Sequence, residues 1–241
     1  MDLRRRRAGR IGGIAVLALM LVPAVQAQVP PLPPPRPDRP TEAEADKALP
    51  KVPPVTHNAD EAEGGRTACL DRITKLGVRF ESQPPVQEGS CSIADPVLVS
   101  ALPGGAEVAP ASLMACPVAE SLARWMSEVV APEAERQLQS APTKLLIGTS
   151  YQCRDQRNGE KLSEHAFGNG VDVMGFEFAK RSPLTIAKQP ENSPEATFQS
   201  AVQKAACPIF TTVLGPGSDA AHGDHLHLDM RERKGDYRIC Q

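Results

Sequence analysis

The chain has 241 residues, a formal net charge of −2, and 24 prolines against nine aromatic side chains. That length leaves no room for several large domains, and that charge excludes a protein held to nucleic acid by bulk electrostatics. The composition is a sum of unlike parts: all nine aromatics lie between Phe80 and Tyr237, while the first 79 residues hold eleven of the prolines.

Arg4, Arg5, Arg6, Arg7 and Arg10 precede an apolar run from Ile11 to Val22. Val25 and Ala27 then place small residues where a signal peptidase reads, so residues 1–27 are expected to be a secretory signal cleaved after Ala27. The alternative is a membrane anchor, but the run of 12 residues falls short of the roughly 20 that a spanning helix needs. No second long apolar run follows, so no membrane span is expected after cleavage, and export to the periplasm or the medium is. Removing the leader takes away a net +4 and leaves a mildly acidic chain of −6.

Residues 28–65 carry Pro30, Pro31, Pro33, Pro34, Pro35, Pro37 and Pro40 almost in sequence, then Pro50, Pro53 and Pro54. Proline fixes φ and removes a donor, so the stretch reads as a stiff, extended, disordered spacer; a ligand for a partner module is the other reading.

The folded part is expected over residues 66–241. Arg66 to Leu76 reads as a short helix stopped by Gly77, and Val78 to Glu81 as a strand. Ile93 to Leu102 reads as a strand pair with turns at Asp95-Pro96 and Pro103-Gly104-Gly105. Val118, Leu122, Trp125, Met126 and Val129 recur at helical spacing behind Pro117, which suits a first turn. Lys144 to Cys153 and Val171 to Phe178 read as strands, Ser193-Pro194 opens a helix carrying Phe198, Val202 and Ala205, and Ile209 to Leu214 and His225 to Met230 close the sheet. The pattern predicts an α+β fold with a mainly antiparallel sheet and flanking helices.

All six cysteines (Cys69, Cys91, Cys116, Cys153, Cys207 and Cys240) fall in this part, with no CxxC pair. An even number in an exported chain reads as three disulfides rather than a zinc ribbon. Six cysteines allow 15 connectivities. Nearness in sequence favours Cys69–Cys91 and Cys207–Cys240, which leaves Cys116–Cys153.

Four of the five histidines lie in two short blocks, 163–172 (SEHAFGNGVD) and 222–229 (HGDHLHLD), and His57 stands alone in the spacer. His225 and His227 are two apart, so on a strand they share a face, and His222 just before it can reach the same place. An HxH pair alone is more often a surface or structural pair than a ligand set. Together with His165 and Asp172, turned by Gly168 and Gly170, it offers a site of three protein ligands with one open position, the arrangement of catalytic zinc.

The pattern S-x-H-x-x-G-x-x-x-D followed by H-x-H resembles the LAS metallopeptidases, a group of lysostaphin-type enzymes, D-Ala-D-Ala carboxypeptidases and dipeptidases, and hedgehog signalling domains. Within that group it most resembles the extensin-like C-terminal domain family, through YQCRD (151–155), SEHAFGNGVD (163–172), LGPGSDAAHGDHLHLD (214–229) and the terminal Cys240. The likeness spans about residues 66–241 and implies a hedgehog/D-Ala-D-Ala-peptidase-like fold. It implies one zinc ion held by His165, Asp172 and His227, with His225 beside it as general base or transition-state stabiliser. His222 resembles the rim histidine of penicillin-insensitive murein endopeptidases. Arg154 is implied to face a substrate carbonyl, with a surface salt bridge as its other reading. Tyr151 and Ser163 belong to the same motifs, Ser163 as a hydrogen-bonding or turn residue, and Asp229 orients a ligating histidine or ends the strand.

Two departures bear on activity. Gly170 stands where the family usually has Ala. No Glu occurs between Glu195 and Glu232 to serve as the base of the carboxypeptidase branch, and Asp224, on a strand, would point away from His225. The resemblance implies an exported zinc hydrolase cleaving amide bonds of peptidoglycan stem peptides or cross-links, acting as a monomer. The alternatives are a catalytically idle, zinc-stabilised wall-binding or interaction module, or hydrolysis of another bond.

Overall fold

The computed structural model describes residues 59–157, 159 and 161–241. The expected leader and most of the expected spacer lie outside them. The first helix, α1 (Ala59–Lys75), begins seven residues before the expected Arg66; Ala59, Glu61, Ala62 and Glu63 are good helix formers, and the helix continues through the less favourable Gly64 and Gly65. Gly77, at φ +83°, ends the helix as foreseen: its N–H donates to Thr74 O, and Val78 N–H to Ile73 O, which closes the last turn.

The main sheet is mixed but mostly antiparallel, as the pattern predicts. Its order is β1 (Arg79–Ser82), β4 (Pro96–Ala101), β5 (Glu107–Ala115), β6 (Pro142–Thr149), β7 (Gly170–Phe178), β10 (Leu226–Asp229), β9 (Thr212–Leu214) and β11 (Ile239–Cys240), with β8 (Leu184–Thr185) also on β7. Among the described residues only β5–β6 and β9–β11 pair in parallel. The expected pair over Ile93 to Leu102 is corrected. The break at Asp95-Pro96 is real, but β3 (Cys91–Ile93) pairs with β2 (Val86–Glu88) in a separate two-stranded sheet, and β4 pairs with β1 and β5.

Two helical segments pack on the sheet. α2 (Cys116–Trp125) runs without a break into wider, π-helical turns at Met126–Val130 and Ala134–Leu138, on either side of the short α3 (Ala131–Glu133). Pro132 lies at the junction; it has no N–H, and its ring crowds the carbonyl four residues back. α4 (Pro194–Ala206) starts at Ser193, whose Oγ accepts from Ala196 N–H. No helix among the described residues is long and apolar enough to cross a membrane.

The scarce aromatics concentrate in the core. Trp125 lies 6.0 Å from Phe176 and 6.4 Å from Phe210, and Phe198 packs edge-on against Phe176 and Phe178. Trp125 is fully buried, and its Nε1–H donates to Val202 O on α4 at 3.0 Å, so burying this large ring leaves no donor unpaired.

Three disulfides form, and two of the expected pairings are corrected. Cys69 joins Cys116 and Cys91 joins Cys153; only Cys207–Cys240 is as expected. Nearness in sequence misleads because the strands between α1 and α2 fold away and return the two helices to one another, where Arg72 also meets Glu120 at 2.8 Å. Cys91 on β3 then faces the segment after β6, across a Cα–Cα distance of 5.6 Å.

Candidate metal centre

Strand register builds the site. In the antiparallel pairing of β7 with β10, Asp172 lies opposite His227, Val171 opposite Leu228 and Val173 opposite Leu226. Alternation sends Val171, Val173, Leu226 and Leu228 into the core, all fully buried, and Asp172, His227 and Asp229 to the other face. His165 comes from the 3-10 turn Glu164–Phe167 just before β7, which Ser163 caps by accepting from His165 N–H. Gly168 closes that turn at φ +61°, and a Cβ there would meet Ile93 Cδ1 at 2.4 Å and Ala115 N at 3.0 Å. Glycine is needed both for the left-handed turn and for this close approach.

Three side-chain atoms converge. His165 Nε2 is 3.2 Å from Asp172 Oδ1 and 3.2 Å from His227 Nδ1, and the last two are 2.9 Å apart. The far side of each ring fixes its proton. His165 Nδ1 is 2.6 Å from the Ser150 carbonyl, which can only accept, so Nδ1 carries the hydrogen. His227 Nε2 donates to Asp229 Oδ2 at 2.9 Å, and Asp229 Oδ1 accepts from Arg231 N–H. Lone pairs on Nε2 of His165, Nδ1 of His227 and Oδ1 of Asp172 therefore point at one place. So close a set repels itself unless a cation lies among it.

A proton is one such cation. Burial pushes the His227 imidazolium down, but the hydrogen bonds and charges of Asp172 and Asp229 outweigh it and raise the pKa from 6.5 to about 9. Burial likewise pushes Asp172 up, yet His165 and His227 hold its carboxyl well below the usual range. A divalent ion is the other. Donors about 2.05 Å from a tetrahedral zinc lie about 3.3 Å apart, close to the observed triangle, and a His₂–carboxylate set with ring N–H groups tied to Ser150 O and Asp229 suits such an ion. His165, Asp172 and His227 thus form a group that can hold a metal.

His225 stands just ahead of β10, with Nε2 3.8 Å from Asp172 Oδ1. Asp224 is corrected: it does not point away. Because it precedes the strand, strand alternation does not govern it, and its Oδ1 accepts from His225 Nδ1 at 2.9 Å. The second nitrogen of His225 is thereby left with a lone pair facing the triangle. His222 lies beyond, its ring 5.2 Å from that of His225, held by Asp219, whose carboxylate also accepts from Ala221 and His222 N–H.

His165, His222, His225 and His227, with Asp172, Asp219 and Asp229, line a cleft of about 460 Å³ that also includes Ser163 and Arg154. Arg154 is laced to the His165 turn, since its carbonyl accepts from Ser163 N–H. It makes no salt bridge among the described residues; its guanidinium donates to Gln152 Oε1 and Asp155 O. Tyr151 is not brought into the cleft. Its hydroxyl donates to Glu88 on β2, and the residue borders a different groove beside Ser112 and Gly148. Asp224, Asp219 and the Ser150 carbonyl were missed as supports of the site; an acid next to a histidine in a turn was the only available signal.

A family profile described as extensin-like protein C-terminus matches residues 67–241. The chain belongs to the extensin-like C-terminal family. No curated protein and no solved structure matches it. The family stretch contains the whole triangle, all three disulfides and every residue of the cleft named above.

Proposed function

We propose that this extensin-like chain is an exported zinc-dependent hydrolase that cleaves an amide bond in peptidoglycan stem peptides or cross-links. The observation that carries the reading is the triangle of His165 Nε2, Asp172 Oδ1 and His227 Nδ1, with His225 Nε2 at its open side. Three disulfides support an oxidising compartment.

His165, Asp172 and His227 would hold the zinc ion, which would supply Lewis-acid chemistry and lower the pKa of water towards about 7. The Ser150 carbonyl and the Asp229 carboxylate hold the two ligating rings in the tautomers that keep their lone pairs inward. Asp224 does the same for His225, so Nε2 is free to take a proton from the attacking water and return it to the leaving amine. That pair fills the place of the missing Glu. His222, held by Asp219, and Arg154 border the cleft and offer donors to the substrate.

The test is metal analysis of the purified chain together with muropeptide digestion. Stoichiometric zinc and new amine ends, both lost in His227→Ala, uphold the reading. Zinc without cleavage, with retention on isolated cell walls, turns it to the idle wall-binding module instead.

A further inference from the structure

Four guanidinium groups border the cleft: Arg154 and Arg157 from the segment after β6, Arg231 and Arg233 from the segment after β10. The carboxylates that share it are already engaged. Asp172 lies among the histidines, Asp229 accepts from His227 and Arg231 N–H, Asp219 holds His222, and Glu164 accepts from Asn169 Nδ2 at 2.8 Å. The arginines are engaged less fully. Arg233 is anchored on Thr211 O and Thr212 Oγ1, but Arg231 only approaches Glu164, at 3.7 Å. Among the described residues Arg154 has only two neutral acceptors and Arg157 makes no salt bridge, although its charge is felt at Asp224. Both Nη2 donors of Arg154 remain unused among these residues. The free Nη2 of Arg154, beside the second hydrogen of Nη1, leaves donors that suit a carboxylate, to which a guanidinium bonds more strongly than to a neutral carbonyl oxygen. Four carboxylates balance the four arginines in the lining, so selection rests on where the unengaged guanidinium donors lie rather than on net charge.

We propose that the cleft selects a substrate carrying a free carboxylate close to the amide it holds, with Arg154 as the carboxylate-binding residue and Arg157 and Arg231 reinforcing it. This assigns Arg154 to a charged group rather than to the neutral scissile carbonyl. It deepens the hydrolytic reading and rests on it for the identity of the bond. Such a carboxylate comes from a chain end or from an acidic side chain.

Both sources are probed by calorimetry on the full chain stripped of metal with a chelator, so that no ligand carboxylate binds an ion. One pair is N-acetyl-L-Ala-D-Ala-D-Ala and its carboxamide. The other is an N-acetyl-Ala-Glu-Ala carboxamide and its Gln counterpart. The acid of at least one pair is expected to bind about tenfold more tightly than its neutral partner, as one charge-assisted pair provides. Arg154→Gln/Arg157→Gln is expected to abolish the difference, and Arg154→Gln alone reads the same loss should the double variant fail to fold. Equal binding within both pairs, or a preference that survives Arg154→Gln, overturns the proposal. Cleavage of acid and neutral peptides at equal rates by zinc-loaded protein also overturns it and leaves hydrolysis standing. Arginine-dependent binding of the acid without cleavage removes hydrolysis and leaves carboxylate selection standing.

Discussion

Asp172 and His227 face one another across the pairing of β7 with β10, and Nδ1 of the histidine lies 2.9 Å from Oδ1 of the acid. Both are therefore placed by sheet register rather than by a loop. Replacing either by Ala removes a ligand without touching the buried face, where Val171 and Leu228 pack. His227→Ala, His165→Ala and Asp172→Ala are expected to purify folded, with bound zinc falling from about one ion per chain to near zero by elemental analysis.

Asp229 touches the proposed ion only through His227. Its removal should weaken the site without deleting it. Asp229→Ala is expected to lower zinc affinity roughly 10- to 100-fold, read by competition with a chromophoric chelator.

The raised pKa of His227 gives a pH test. A histidine whose pKa rises on folding stabilises the fold fully below its unfolded value near 6.5, and that contribution is lost as pH climbs through about 9. The metal-free chain should show a falling melting temperature between pH 6.5 and 9, and His227→Gln should remove that slope. Asp172 acts at the other end, its contribution being lost as pH falls below its ordinary value of 3.8. Zinc takes the place of the proton, so zinc affinity should rise with pH across the upper window.

Gly168 turns the chain where an L-residue is strained and where a Cβ would strike Ile93. Gly168→Ala is expected to cost about 1–2 kcal/mol for the left-handed conformation, and more for the clash, seen as a lower midpoint in urea.

Asp224 is mostly exposed, so its hold on His225 is screened by water. Asp224→Ala should lower kcat on a cleaved muropeptide by about two- to fivefold with KM unchanged. Asp224→Asn, whose carbonyl oxygen still accepts from Nδ1, should recover most of the loss.

Much of this site is legible in the chain because a strand has a period of two. His227 and Asp229 alternate with Leu226 and Leu228, so the polar pair and the core pair separate on paper as they do in space. The glycine stops at Gly77 and Gly168 are legible for a similar local reason. What escaped depends on distant partners. β5 was not foreseen, because Pro110 and small residues mask a strand that joins β6 over 107–109 and β4 further on. The pairings of Cys69 and Cys91 follow the return of α1 to α2 and of β3 to the segment after β6, which no spacing encodes. Asp224 lies two positions before β10 begins at Leu226, so strand alternation does not reach it.

The Cys91–Cys153 bridge ends one residue before Arg154. Asp172 and His227 owe their placement to hydrogen-bonded strands and His165 to the turn before them, whereas the arginine segment is pinned by a covalent bond to a small separate sheet. A reduced chain would therefore assemble its ion-binding floor while leaving one wall of the cleft untethered. The two sides of the cleft thus rest on different bonds, strand hydrogen bonds on one and a disulfide on the other.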